Sequence, residues 1–298
     1  MRRPKVVIGI DVGGSNTRIG LATKDGYVMH AEKHKSSLVS PRFIEFVAEY
    51  RAKHQANYNI IAVSIGFPGL VDANKKWVIS VPNHHQFEGK YLKKMEKELN
   101  LPVFIGNDVN FLLVHDLHYF GLGNRENVLG FYVGTGFGGA VYLNGRLFTG
   151  DHGSAGEIGH IPVLGGTLVC GCGNIGCLET VASGKRLKEL HEEYFPGTDL
   201  DDIFTDYLET EVIQTFIELI ANGIASAIAI LDVTSIVLGG GVLTMQDFPH
   251  DLLKKLILSK LRSDRTRENL KIYYARAEKE DGISGAAQYA FYEMRNKK

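Results

Sequence analysis

Cysteine is scarce in this chain, with three residues in 298, and an odd number cannot pair completely into a disulfide framework. Excess charge of either sign is missing too. Lys and Arg total 33 against 34 Asp and Glu, a formal net charge of −1, so no global positive field recommends nucleic acid or an anionic membrane as partner. No uninterrupted apolar run of bilayer length, no low-complexity region and no long linker is read from the sequence. The opening MRRPKVVIGID has two arginines and a short apolar run, but the run ends at Asp11 without a small-residue cleavage site, so no secretory leader is expected. Together these absences lead us to expect a cytoplasmic protein whose thiols stay reduced and available to a metal. Its length favours two domains.

The three cysteines are concentrated in one stretch, GEIGHIPVLGGTLVCGCGNIGCLE, from Gly156 to Glu179. Cys170, Cys172 and Cys177 follow His160, and three thiolates with one imidazole are the donor set of a closed tetrahedral zinc site. Gly171, Gly173 and Gly176 lie between them, where a chain turning tightly around an ion benefits from residues that tolerate positive φ. Glu157 and Glu179 bracket this set without being needed to close it. They are candidates to accept hydrogen bonds from a polar ligand beside the metal.

A second pattern occurs twice. An apolar run from Val6 to Ile10 leads into Asp11-Val12-Gly13-Gly14-Ser15-Asn16-Thr17, then a strand-like segment, a Lys24-Asp25-Gly26 turn and a third strand. Val128 to Val133 leads into Gly134-Thr135-Gly136-Phe137-Gly138-Gly139, a further strand, the Asn144-Gly145 turn and another strand. Glycine-rich turns let backbone amides approach a bulky anion, Ser15 and Thr17 add hydroxyl donors, and Asp11 could hold magnesium through water. The repeated order suggests an internal duplication: two related domains, each presenting a phosphate-cradling hairpin, which facing each other across a cleft could clamp a nucleoside triphosphate. That is the actin-like ATPase plan. The boundary is expected near 117–127, where Gly121 and Gly123 break the pattern.

Between the repeats, Val103 to Asn107 reads as a strand running into Asp108, with helical spacing after it. Position alone leaves two readings open: Asp108 as the N-cap of that helix, or as a carboxylate able to take a proton from a substrate hydroxyl. Further on, Glu211 to Leu231 has a long apolar face and reads as core, and Ser235 to Leu238 is a buried strand ending in Gly239-Gly240-Gly241.

With these residues assembled, the chain resembles the ROK family of bacterial sugar kinases and sugar-responsive repressors. The likeness rests on IDVGGSNTR, GND ending at Asp108, GTGFGG, GEIGH, CGCGNIGCLE and LGGGV, in that order over nearly the whole length. It implies an α/β fold of duplicated actin-like ATPase (ribonuclease H-like) domains around a central cleft, with a zinc-binding insert in the second. The implied domains are 1–117, completed by a C-terminal helix over 282–298, and 118–281. It also implies transfer of the γ-phosphate of ATP to a hexose hydroxyl, usually O6, with Mg2+ and a structural Zn2+, in a homodimer.

The resemblance makes Asp108 the catalytic base and assigns Asn83, Asn107, Asp108, Glu157, His160 and Glu179 to the sugar. It assigns His160, Cys170, Cys172 and Cys177 to zinc, and Asp11, Gly13, Gly14, Thr17, Thr135, Gly136 and Gly138 to the phosphates. Gly239, Gly240 and Gly241 would lie alongside adenosine. The turn Gly66-Phe67-Pro68, Asp108-Val109-Asn110 and His160-Ile161-Pro162 are similar to D-allose kinases of the family, so D-allose is the expected hexose. Glucose, mannose, fructose and N-acetylhexosamines are the alternatives. A repressor of the family carries a helix-turn-helix ahead of its first glycine turn, for which ten residues before Asp11 leave no room. A non-catalytic sugar-binding protein is the remaining different class.

Overall fold

The structure is a computed structural model and describes residues 3–81, 84–89, 91–123 and 126–296. Two compact units divide the chain, each described here by itself: 1–123 with 149–155 and 278–298, and 124–148 with 156–277. The first unit thus includes Thr149–Ala155, a segment inside the range 118–281 expected for the second domain. A β-carbon at Gly153 would fall 1.9 Å from the Val71 carbonyl oxygen, so this segment lies directly on the first unit's backbone.

In the first unit the strands are β1 (Lys5–Val12), β2 (Asn16–Ala22), β3 (Val28–Lys35), β4 (Asn59–Phe67), β5 (Leu70–Val71), β6 (Val78–Ser80) and β7 (Val103–Asn107). Its main sheet has the order β3-β2-β1-β4-β7, antiparallel across the first two pairings and parallel across the last two. Val6, Val7, Ile8 and Ile10 of β1 are wholly buried, as expected of a central strand covered on both faces. The outer strand β3 instead has no fully buried residue and alternates half-buried and exposed residues from Glu32 to Lys35, which suits an edge. Helices α1 (Ser36–Val39), α2 (Phe43–His54), α3 (Tyr91–Leu99) and α4 (Asp108–Tyr119) complete the run.

The second unit has strands β8 (Val128–Val133), β9 (Phe137–Leu143), β10 (Arg146–Leu147), β11 (Ser235–Gly239) and β12 (Lys271–Tyr274) in the order β10-β9-β8-β11-β12. Antiparallel and parallel pairings fall in the same places as in the first sheet. The repeat read as strand, glycine turn, strand is therefore a repeat of sheet topology. Its helices are α5 (Gly184–Tyr194), α6 (Ile203–Asp206), α7 (Glu211–Leu231), α8 (His250–Lys260) and α9 (Asp264–Asn269). By length and composition alone α7 is long and apolar enough to cross a membrane, although Gln214, Glu218 and Asn222 interrupt its apolar sequence. Ile213, Phe216, Ile217, Ile220 and Ile224 on this helix are at most 1% exposed and belong to the unit's core, which accounts for its apolarity.

The last helix, α10 (Asp281–Asn296), packs on α4, β1, β2 and β4 and so belongs to the first unit. A polar chain fixes its start. Ser284 Oγ donates to the Gly26 carbonyl at 3.1 Å and lies 2.9 Å from His115 Nδ1, while His115 Nε2 is 3.2 Å from Asp281 Oδ1. Burial pushes the Asp281 carboxyl up to about 6, opposed by the hydrogen bond from the Glu278 amide. An acid whose folded pKa lies above its unfolded value holds its proton more tightly when folded. Its stabilising contribution is therefore complete below about pH 4 and lost as pH rises through about 6, by at most about 3 kcal/mol. His115, lowered by burial, works in the opposite sense. Thermal denaturation from pH 4 to 7 should show Asp281→Asn gaining stability relative to wild type as pH rises, and parallel curves would refute this linkage.

Candidate active site

The first glycine turn joins β1 to β2. Gly13 N donates to Asn16 O at 2.9 Å, and the exposed Gly14 and Ser15 form its tip. Its underside is held by side chains, of which sequence reading missed Ser36 and His84. Thr17, fully buried, lies 2.9 Å from Ser36 Oγ, which in turn donates to Gly13 O at 2.7 Å. The Thr17 hydroxyl therefore braces the turn from within. His84 Nε2 lies 3.1 Å from Gly14 O; a carbonyl only accepts, so Nε2 carries the proton and Nδ1, 3.3 Å from Ser40 Oγ, is the acceptor. No spacing rule pointed to His84. Arg18 was within reach of sequence reasoning, because the hairpin register sets it opposite Asp11. Its guanidinium is 3.5 Å from Asp11 Oδ2. Burial pushes the Asp11 carboxyl up, and the Arg18 guanidinium opposes this.

At the end of β7, Asn107 rather than Asp108 is the N-cap of α4. Asn107 Oδ1 accepts from Asn110 N at 3.2 Å, and its Nδ2 donates to Gly69 O at 3.1 Å. Both ends of the Asn107 amide are thus engaged with backbone. Asp108 occupies the first helical position, with Oδ1 accepting from Val109 N at 2.8 Å. Asn83 lies outside the described residues.

In the second unit, the turn between β8 and β9 is closed by Gly134 N donating to Gly136 O at 3.0 Å. The start of α5 holds its first half, with Gly184 N donating to Gly134 O at 2.7 Å and Lys185 N to Thr135 O at 3.1 Å. Gly138 falls inside β9, opposite Tyr132, rather than in the turn. Gly239 to Gly241 come to the same place: β11 runs parallel to β8, Gly240 has φ +94°, and Val242 N donates to Val133 O at 2.9 Å.

The metal-ligand prediction converges in space. His160 Nδ1 and the sulfurs of Cys170, Cys172 and Cys177 all lie within 4.8 Å of one another. Tetrahedral zinc, with Zn–S of about 2.3 Å and Zn–N of about 2.0 Å, sets sulfurs about 3.8 Å apart and sulfur about 3.5 Å from nitrogen. Here Cys172 Sγ is 3.6 Å from Cys177 Sγ, and Cys170 Sγ is 3.5 Å from His160 Nδ1. The residues fit the ion. Gly173 and Gly176 have φ of +92° and +77°, as the tight turn required. Burial and the neighbouring thiols push Cys177 up to about 12, so metal binding must displace protons and weaken as pH falls.

Because His160 turns Nδ1 to the thiols, its Nε2 faces the other way, 3.6 Å from Glu157 Oε2. Burial raises the Glu157 carboxyl, His160 opposes this and Glu179 adds to it. Glu179 has an established partner: its Oε2 accepts from Phe137 N at 3.0 Å. The second unit thus gathers two carboxylates and an imidazole around a metal-ligand cluster, and the first a carboxylate at a helix start and another beside a glycine turn.

The chain belongs to the ROK family, whose model matches residues 7–292. Among its relatives, the N-acetyl-D-glucosamine kinase of Vibrio cholerae is 30% identical over 302 residues, covering 94% of this chain and 97% of that one. The glucokinase of Streptomyces coelicolor is 26% identical over 308 residues, covering 96% and 97%. A crystal structure of a ROK hexokinase from Thermus thermophilus superposes with a TM-score of 0.79 at 27% identity, covering 98% of this chain and 99% of that one.

Proposed function

We propose that this chain is an ATP-dependent kinase that transfers the γ-phosphate to the 6-hydroxyl of a hexose or N-acetylhexosamine. The observation that carries the reading is the pair of glycine turns at the same junction of two sheets with the same strand order, which we read as duplicated actin-like ATPase units. Full-length similarity to two sugar kinases supports it.

The labour divides between side chains. Asp108 accepts the proton of the C6 hydroxyl as that oxygen bonds to the γ-phosphorus. The bond from phosphorus to the β,γ-bridging oxygen breaks, ADP leaves, and the proton passes from Asp108 to solvent. Little covalent work falls to the protein, so orientation and charge neutralisation supply most of the rate. Glu157 and the Nε2 edge of His160 take sugar hydroxyls. Asp11 would hold the magnesium that accompanies ATP, which neutralises phosphate charge. The Cys3His set would hold zinc as a structural ion that fixes the orientation of His160.

The relatives point to glucose and N-acetylglucosamine, while the D-allose reading rests on the likeness of three short motifs. A coupled ADP-release assay with Mg-ATP and allose, glucose, mannose, fructose, N-acetylglucosamine and N-acetylmannosamine should give turnover with one clear leader in kcat/KM. A site that hydrogen-bonds one particular hydroxyl can reject its epimer strongly. If allose does not lead, the D-allose assignment falls and the kinase stands. If folded, metal-loaded protein turns over none of them, the family's regulatory class replaces the enzyme.

A further inference from the structure

We infer that Glu179 is a positioning residue that couples the Cys3His cluster to the second glycine turn, so that metal occupancy governs the order of the nucleotide-binding backbone as well as of the sugar-binding side chains. Only the identification of the turn's ligand as nucleotide phosphate rests on the kinase reading; the coupling does not.

Glu179 sits in the short turn Leu178–Thr180, immediately after the ligand Cys177. That turn is fixed at both ends. Thr180 N and Oγ1 both donate to Cys177 O, at 3.0 and 2.7 Å, and Leu178 N donates to Ile161 O at 2.9 Å. The Leu178 side chain is buried against α7, where a β-carbon on Gly223 would come within 2.4 Å of it. From this frame one Glu179 oxygen takes the Phe137 amide at 3.0 Å and the other lies 4.0 Å from Cys170 Sγ. The approach to the turn is close: a β-carbon at position 136 would stand 2.2 Å from Glu179 Oε2 and would displace the carboxylate.

The turn's hydrogen bonds divide accordingly. Gly184 and Lys185 amides hold the carbonyls of Gly134 and Thr135, while Glu179 holds the amide at the exit, Phe137. The first set comes from α5 and the core. The second reaches the turn through a side chain anchored two residues after a metal ligand. Loss of the metal should therefore loosen Gly136–Phe137 and leave the α5 contacts in place.

The test is amide hydrogen exchange, resolved by NMR, on the full chain with zinc and after chelation, for wild type, Glu179→Ala and Glu179→Gln. Titration of a non-hydrolysable ATP analogue with magnesium, without sugar, accompanies it. In wild type, chelation should speed exchange at Phe137 by about tenfold, as loss of one backbone-protecting hydrogen bond implies, with Gly184 and Lys185 changing less than about twofold. Analogue affinity should weaken by about tenfold. In Glu179→Ala the Phe137 amide should exchange fast even with zinc bound, and chelation should add less than about twofold. Glu179→Gln, which keeps an acceptor oxygen, should restore most of the protection.

An unchanged Phe137 amide on chelation of wild type, or an equal chelation effect in Glu179→Ala, overturns the coupling. If the exchange pattern holds but the analogue never binds, the coupling stands and the kinase reading fails.

Discussion

Asp108→Asn should lower kcat by about 10²–10⁴-fold while leaving sugar KM within a few-fold, the range associated with losing a positioned general base. The substitution keeps the side chain's size and an oxygen that can still accept from Val109 N, and it removes the basicity. The geometry at the start of α4 makes the experiment clean. Asn107 caps the helix through Asn110 N, so Asp108 is not needed for that role, and the midpoint of thermal unfolding should stay within about 2 °C of wild type. Zinc content should be unchanged, since the ligands lie in the other unit. Steady-state kinetics by coupled ADP release, with melting and elemental analysis on the same preparation, checks all three. A variant that transfers phosphate at the wild-type rate would leave Asp108 as an ordinary first-turn acid, favourable to the helix dipole and to nothing else.

What sequence could show, and what it could not, follows from how far apart the contacting residues are along the chain. The Cys3His set was legible because its donors fall within eighteen residues of one another, with glycines where the backbone must turn. The repeated hairpins were legible for the same reason, and the hairpin register also places Arg18 opposite Asp11. The choice between Asp108 and Asn107 as cap could not be made, because both are good caps and a helix start is uncertain by a residue or two from pattern alone. The orientation of Thr17 depended on Ser36, nineteen positions away. His84 reaches Gly14 across seventy positions, and Glu179 reaches Phe137 across forty-two. Neither leaves a periodic trace, because each is one side chain closing one backbone group that the tertiary fold brings near. The assignment of Thr149–Ala155 to the first unit has the same origin, in contact with a strand some eighty residues earlier.

Gly285→Ala should be a strongly disruptive single methyl in the first unit. A β-carbon there would stand 1.8 Å from the Phe111 carbonyl oxygen and 2.6 Å from its carbon, a clash with backbone that no side-chain rotation relieves. Helices α10 and α4 would have to separate, and α4 has little room to move. The Phe111 ring is 1% exposed and lies so close to β7 that a β-carbon on Gly106 would come within 2.7 Å of it. Overpacking of this kind costs about 1–3 kcal/mol and occasionally more, and a backbone collision belongs at the upper end. For a chain of this size that lowers the melting midpoint by about 5 °C. The consequence for chemistry follows from sequence spacing: Phe111 is one helical turn after Asp108, so a shift of its backbone carries the carboxylate with it. A displacement of about 1 Å at a reacting group can lower the rate by about 10²-fold, so kcat should fall even in the fraction that remains folded. Gly14→Ala supplies the contrast, because a β-carbon at that position meets nothing within 4 Å and should leave the melting midpoint unchanged. Differential scanning calorimetry on both variants, with single-turnover phosphoryl transfer on the folded protein, separates the two effects. Wild-type melting and wild-type kcat in Gly285→Ala would show that α10 does not press on α4, and that the position of Asp108 is set by β7 and the Asn107 cap alone.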